Sequence, residues 1–219
     1  LHEVTAISSR VVVLRHGKLV AEARTDDVDR HQLAQMMVGA EVAAPKVSAA
    51  TPGAVLVALK QVSTPDRGAA PGLKRVEMKL HAGQIVGLAG VSGNGQAALA
   101  DLIGGLIPPA SGSLCLADGE PSEWSPRAAL AAGIARIPED RHKTGTIADF
   151  DLVENAVLEL YSKPPFSQKG WMDWSAARDF TQTVIEGYDV RCPGPETRIR
   201  LLSGGNMQKL ILGRVLETS

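Results

Sequence analysis

Little in this chain would tie it to a nucleic acid, a lipid bilayer or an oxidising compartment. Its 23 lysines and arginines are offset by 24 aspartates and glutamates, for a net charge of −1. With no basic run either, its charge does not point to nucleic acid. No apolar run approaches the roughly 18 residues that cross a bilayer, and no signal peptide is visible. Any membrane association must therefore come through a partner. The two cysteines, Cys115 and Cys192, have neither Cys-x-x-Cys nor zinc-ligand spacing and read as idle thiols in a reducing cytoplasm. The histidines make no metal-ligand pattern: His2, His16 and His31 read as surface residues, His81 precedes a glycine turn, and His142 lies in a charged loop. What remains, 219 residues of 44% hydrophobic content, suffices for one well-packed domain and an appendage.

The order of elements is that of an α/β layered fold. The chain opens at Leu1-His2-Glu3 without an initiator Met and closes at Thr218-Ser219 inside an expected helix, so it reads as a piece of something larger. Residues 9–24 predict a hairpin turning at Arg15-His16-Gly17-Lys18, and a helix follows from Asp26 to Val38 with Gly39 as its stop. Residues 40–53 have the Ala, Pro, Ser and Thr content of a linker. Beyond it, strands are expected at Val55–Leu59, Arg75–Leu80, Gln84–Ala89, Ser113–Ala117 and Ile134–Ile137. Helices are expected at Gln96–Ile103, Ser125–Ala132, Asp151–Tyr161 and Trp174–Gly187, with Asp151 and Glu154 at capping-box spacing.

Gly90-Val91-Ser92-Gly93-Asn94-Gly95-Gln96-Ala97 lies between an expected strand and an expected helix, the setting of a Walker A phosphate loop. Its glycines allow successive N–H groups to curl round a phosphate. Gln96, however, stands at the lysine position and Ala97 at the Ser/Thr position. The cation that offsets the β- and γ-phosphates and the hydroxyl that ligates Mg²⁺ are both missing. Losing one preorganised donor costs roughly 10²–10³ in rate, so losing both predicts a loop that does not turn nucleotide over. The same residues leave two other readings open. One is a glycine turn without a ligand. The other is a dinucleotide-binding fingerprint in Gly93-x-Gly95-x-x-Ala98, with Asp118 20 residues beyond, which implies an NAD(P)-dependent enzyme.

Near the end, Leu201-Leu202-Ser203-Gly204-Gly205-Asn206-Met207-Gln208-Lys209 runs straight into the apolar stretch Leu210–Leu216. A helix begun this way presents a hydroxyl and several unpaired N–H groups at its positive end, which suits a phosphate. Leu202–Lys209 resembles the signature sequence of ATP-binding cassette (ABC) ATPases, in particular the second cassette of sugar- and nucleoside-importing members. Ile137-Pro-Glu139-Asp140-Arg141-His-Lys143-Thr-Gly145 resembles the Q-loop region of those cassettes, where an acidic residue replaces the usual Gln. Asp151–Leu158 extends the likeness. Degenerate phosphate loops are common there, and a nicotinamide enzyme has no use for a serine-glycine-glycine helix mouth.

The resemblance implies a P-loop NTPase core with a helical subdomain, truncated before Walker B. Residues 1–39 are then the tail of a first cassette, 40–53 a linker and 54–219 most of a second cassette. Leu1-His-Glu-Val resembles the residues that follow a switch histidine. Leu114–Asp118 imitates a Walker B strand but precedes the signature, so it reads as an ordinary strand and turn. The implied parent is a bacterial importer subunit that uses ATP and Mg²⁺. It would sit on the cytoplasmic face of the membrane, bound to permease subunits and indirectly to a solute-binding protein. Gly90, Ser92, Gly93, Asn94, Gly95, Gln96 and Ala97 would line an idle nucleotide site monitored by Glu139 or Asp140. Residues near 141–170 would face the transporter. Ser203, Gly204, Gly205 and Gln208 would act in trans on ATP held by the other cassette. No residue is assigned a catalytic role in cis, and none a metal. The adenine-stacking aromatic of many cassettes would fall near Gln61–Asp66, where none occurs. The hairpin at 9–24 is a candidate to fill the place of missing strands, and a nucleotide-binding regulator without a transporter stays open.

Overall fold

Val11 and Val13 point to one face of a strand and Val12 and Leu14 to the other; in the computed structural model the first pair is buried and the second exposed. The structure describes residues 1–15, 17–39, 51–68 and 70–218. They divide into two units, Leu1–Ala50 and Thr51–Ser219.

In the first unit, helix α1 (His2–Ile7) leads to strands β1 (Arg10–Arg15) and β2 (Lys18–Arg24), paired antiparallel with Arg10 opposite Arg24. Gly17, at φ 74°, takes the left-handed turn position. The helix expected from Asp26 begins later. Thr25–Asp27 is a 3₁₀ turn, and α2 (Arg30–Val38) starts where Asp29 caps it through a reciprocal box with Gln32. Gly39, left-handed at φ 78°, ends it. The strands β1 and β2 make a two-stranded sheet of their own. His16 and, of the expected linker, residues 40–50 lie outside the described residues.

The second unit holds a three-stranded sheet in the order β4-β3-β5, from β3 (Val55–Ser63), β4 (Val76–His81) and β5 (Ser111–Leu116). Every pairing is antiparallel. Helix α3 (Gln96–Ile103) lies against this sheet, with Leu99 and Leu102 joining Val57, Leu59, Val62 and Leu114 in one apolar core. Helix α4 (Pro126–Ala131) begins at Ser125, whose hydroxyl accepts from the Ala128 N–H. Nearby, Trp124 Nε1 donates to the Leu102 carbonyl, which ties the loop to the end of α3.

A second core gathers α5 (Leu152–Ala156), α6 (Trp174–Gly187) and α7 (Gly204–Leu216) through Leu152, Val184, Ile199, Met207, Leu210 and Ile211. A small hairpin, β6 (Ser167–Gln168) and β7 (Trp171–Met172), adjoins it, and Phe166 meets Phe180 edge-on at 5.2 Å. Full burial of each large apolar side chain stabilises by about 1.5–3 kcal/mol, so these layers hold α7 firmly.

Two expected strands are absent. Residues 84–90 and 134–138 carry no ladder. Ile85 is 97% exposed and Ile137 45% exposed. A strand requires a hydrogen-bonded neighbour, and none of the described residues supplies one, so β-branched composition alone is insufficient. Helix α5 also stops short of Tyr161. Its capping box from Asp151 and Glu154 forms as expected, but beyond Ala156 the Leu160 and Lys163 amides bond three residues back, ahead of Pro164-Pro165.

Candidate functional site

The glycine loop bridges the sheet and α3. Gly93 (φ 90°) and Gly95 (φ 99°) take left-handed conformations that residues with a Cβ rarely adopt, which explains glycine at both. Gly90, Ser92, Gly93 and Asn94 are exposed, and Gly95, the residue before α3, delivers the loop to the helix N-terminus. A backbone of this shape suits a phosphate. The side chain of Gln96 turns back over it. Its Oε1 accepts from the Asn94 N–H at 3.1 Å, and its Nε2 donates to the Val91 carbonyl at 3.0 Å. A Cβ at Gly90 would come 2.5 Å from that Nε2. Where a lysine would reach outward to phosphate, Gln96 cross-links its own loop. Ala97 is exposed and has no hydroxyl.

A cavity of about 320 Å³ opens beside the loop, walled by Ser92, Gly95, Gln96, Arg67, Asp101 and Glu139 among others. Three of these charges come from different elements, which no local pattern in the sequence reveals. Asp101, on α3, accepts a 2.8 Å charge-assisted hydrogen bond from Arg136 Nη2, while Arg67 Nη1 stands 3.7 Å from its other oxygen. Sequence reasoning missed Arg67, Asp101 and Arg136 altogether. The proline, aspartate and glycine around Arg67 signal a turn but not its destination.

These residues do not fit Mg²⁺. The hydroxyl is absent at 97, the Gln96 carbonyl oxygen is engaged, and Asp101 is already held by guanidinium. Among the described residues no group of three or more His, Cys, Asp or Glu side chains could hold a metal.

The acidic loop shares this wall. Glu139 lines the cavity and is exposed. Asp140 turns away from it: its Oδ1 accepts from the His142 and Lys143 N–H groups at 3.0 Å each, capping a single π-turn at Arg141–Gly145. Those backbone bonds, the one from Lys143 foremost, hold the Asp140 carboxyl below the usual carboxylate range. Of the expected pair only Glu139 lines the cavity beside the glycine loop.

The same π-turn leans on α7. Thr146 Oγ1 points to Met207 Sδ at 3.7 Å, and a Cβ at Gly204 would lie 2.6 Å from Arg141 Nη2. Arg141 Nε is buried there without a hydrogen-bond partner among the described residues.

At the mouth of α7, Ser203, Gly205 and Gln208 are exposed and Gly204 is half-buried. Ser203 makes no side-chain cap, so the first N–H groups of α7 are left to solvent or a ligand. The Ser203 hydroxyl accepts from Asn206 Nδ2 at 3.0 Å, and Asn206 Oδ1 in turn accepts from the Arg191 N–H at 3.1 Å. Lys209 points away and binds the Asp189 carbonyl and carboxylate, both at 2.7 Å, which lowers the Asp189 carboxyl. The apolar face of α7 is buried while its opening residues face outward. That geometry suits contact with a phosphate borne by another body.

Asp118, needed for the dinucleotide reading, lies after β5 in a different cavity with His81 and Leu116. The antiparallel β4-β3-β5 sheet also lacks the parallel βαβ unit such a fingerprint requires, so the dinucleotide reading is set aside. Of the histidines described, His2, His31 and His142 are exposed, and His81 contacts the Gly53 carbonyl through Nδ1. No helix among the described residues is long and apolar enough to cross a membrane.

Comparison with protein families matches residues 73–219 to the ABC transporter family. The guanosine import ATP-binding protein NupO of Bacillus subtilis is 37% identical over 96% of this chain and 42% of its own length. The nucleoside import ATP-binding protein NupA of Lactococcus lactis is 33% identical over 99% of this chain and 43% of its own. The ribose import ATP-binding protein RbsA of Pseudomonas putida is 36% identical over 98% of this chain and 41% of its own. The chain thus spans less than half the length of these relatives. Among solved structures, the dimeric post-hydrolysis state of the ATP-binding cassette MJ0796, bound to ADP and Pi, superposes with a TM-score of 0.55 at 22% identity. That match covers 74% of this chain and 69% of the other, and it identifies the fold as an ATP-binding cassette.

Proposed function

The chain belongs to the ABC transporter family, and from that premise we propose that it is part of the ATP-binding component of an import system for simple sugars or nucleosides. The observation that carries this reading is the segment Ser203-Gly204-Gly205, with Ser203 and Gly205 exposed, at the open mouth of a helix whose other face is locked in a core. The import-protein names of its relatives support the choice of cargo class.

In this reading, residues 54–219 are a second cassette, 1–39 the tail of a first, and 40–53 the connection between them. Two cassettes close on ATP. Ser203, Gly204, Gly205 and Gln208 cap the γ-phosphate of ATP held, with Mg²⁺, by the phosphate loop of the first cassette. The Ser203 hydroxyl and the free N–H groups of α7 stabilise the charge that develops on the transferred phosphoryl group. The loop at 90–97 keeps its own site idle, because Gln96 is folded inward and Ala97 offers no ligand. Permease subunits carry the assembly on the cytoplasmic face of the membrane, and a solute-binding protein acts through them.

The test is ATP hydrolysis by the full-length protein assembled with its permease. Ser203→Ala is expected to lower kcat by about 10²-fold, the scale of one preorganised donor, with little change in KM. Gln96→Leu is expected to leave kcat within about twofold, and the isolated chain to be inactive. Full activity in the Ser203 variant would overturn the assignment of the signature in trans.

A further inference from the structure

The cavity beside the glycine loop combines a phosphate cradle with a charge arrangement unsuited to a divalent cation. Arg67 and Arg136 approach Asp101 from two sides, so the trio keeps one positive charge. Arg136 holds the carboxylate at 2.8 Å. Arg67 stands 3.7 Å away, beyond a hydrogen bond, with its side chain 59% exposed. Its backbone is fixed by reciprocal bonds with Ala70, at 2.9 and 3.0 Å, while the guanidinium remains loosely held at the cavity wall. Glu139, on the same cavity, makes no ion pair or side-chain hydrogen bond among the described residues. The volume, about 320 Å³, is at the low end of the range for small-molecule sites of roughly 300–1,000 Å³.

We propose that this cavity binds a nucleoside diphosphate without a metal ion, with the Arg67 guanidinium offsetting the phosphate charge that Mg²⁺ and a lysine at position 96 would otherwise neutralise. The proposal rests on the reading of the loop as a nucleotide site and adds the metal dependence and the cation that grips the ligand. Arg67 suits the task because its fork of donors matches two phosphate oxygens at once and its contact with Asp101 is easily exchanged. The Asn94 N–H is engaged by Gln96, so the ligand uses the remaining loop amides and Arg67. Glu139 opposes the phosphates, which sets the site against a more highly charged triphosphate.

The experiment photolabels the full-length protein with 2-azido-ADP and locates the label by peptide mapping, so that the peptide containing residues 65–71 reports this cavity alone. In wild type, labelling is expected to persist in EDTA within about twofold of its level in Mg²⁺. Arg67→Ala should weaken the apparent affinity at least tenfold, Arg67→Lys should recover part of it, and Glu139→Gln should tighten it. Thermal melts of each variant verify folding. Labelling that vanishes in EDTA, or that survives Arg67→Ala unchanged, overturns the proposal. So does absence of label at 65–71 in every condition; if Ser203→Ala still lowers hydrolysis by about 10²-fold, the transport reading stands while this one falls.

Discussion

The Arg141 guanidinium occupies the space beside Gly204 that a side chain at position 204 would claim. A Cβ there would lie 2.6 Å from Nη2 and 2.9 Å from Nε. The signature turn therefore has glycine at this position because a neighbouring loop presses on it, in addition to any need of a ligand. Gly204→Ala is expected to destabilise by about 1 kcal/mol, since the long arginine can partly withdraw. In an Arg141→Ala background that cost should disappear, and a double-mutant cycle by urea unfolding measures the difference. An equal cost in both backgrounds would show that Arg141 is not the cause.

Gly213 lets α7 pack close against α6. A Cβ there would stand 2.6 Å from Val184 Cγ1 and 2.8 Å from the Tyr188 ring. Alanine gains about 1 kcal/mol of helix propensity over glycine, but the ring cannot withdraw without moving α6. The clash wins, and Gly213→Ala should lose roughly 1–3 kcal/mol net, read from the urea midpoint. A variant as stable as wild type would mean that the two helices separate freely.

Asn155 is fully buried, and its amide organises residues 147–151. Oδ1 accepts from the Ile147 N–H at 2.9 Å, and Nδ2 donates to the carbonyls of Ile147, Phe150 and Asp151 at 3.1, 3.2 and 2.8 Å. Asn155→Ala strands these backbone groups and is expected to cost roughly 2–4 kcal/mol. Hydrogen exchange at the Ile147 amide should accelerate to match, and an unchanged rate would refute the assignment.

Acid should weaken the second unit through three carboxyls. Asp189 is lowered by its hydrogen bond from Lys209, Glu196 by that from Arg178, and Asp140 by the backbone N–H of Lys143. A lowered carboxyl contributes stability above its unfolded value and loses it as pH falls through the folded one. Stability should therefore hold from neutral pH to about 5 and decline below about 4. Lys209→Met should flatten part of that decline, as measured by denaturant midpoints across pH, and an unchanged profile would exclude Asp189 as a contributor.

Much of this protein was legible in local chemistry. Asp151 with Glu154, Ser125 before Pro126 and Gly39 after Val38 each set a helix boundary through a cap that needs only near neighbours. The left-handed glycines at 93 and 95 and the helix that opens at Gly204 were likewise legible from short spacings. The helices expected at Gln96–Ile103 and Trp174–Gly187 form with those bounds.

Tertiary structure decided what depends on partners distant in the chain. Ile85 and Ile137 have strand composition but no strand, because a ladder exists only when another segment supplies its hydrogen bonds. The meeting of Arg67, Asp101 and Arg136, the inward fold of Gln96 and the pressure of Arg141 on Gly204 are likewise contacts across loops and helices. Residue types and short spacings set local turns and caps, while charge placement and access to the glycine loop arise only when separate segments pack together.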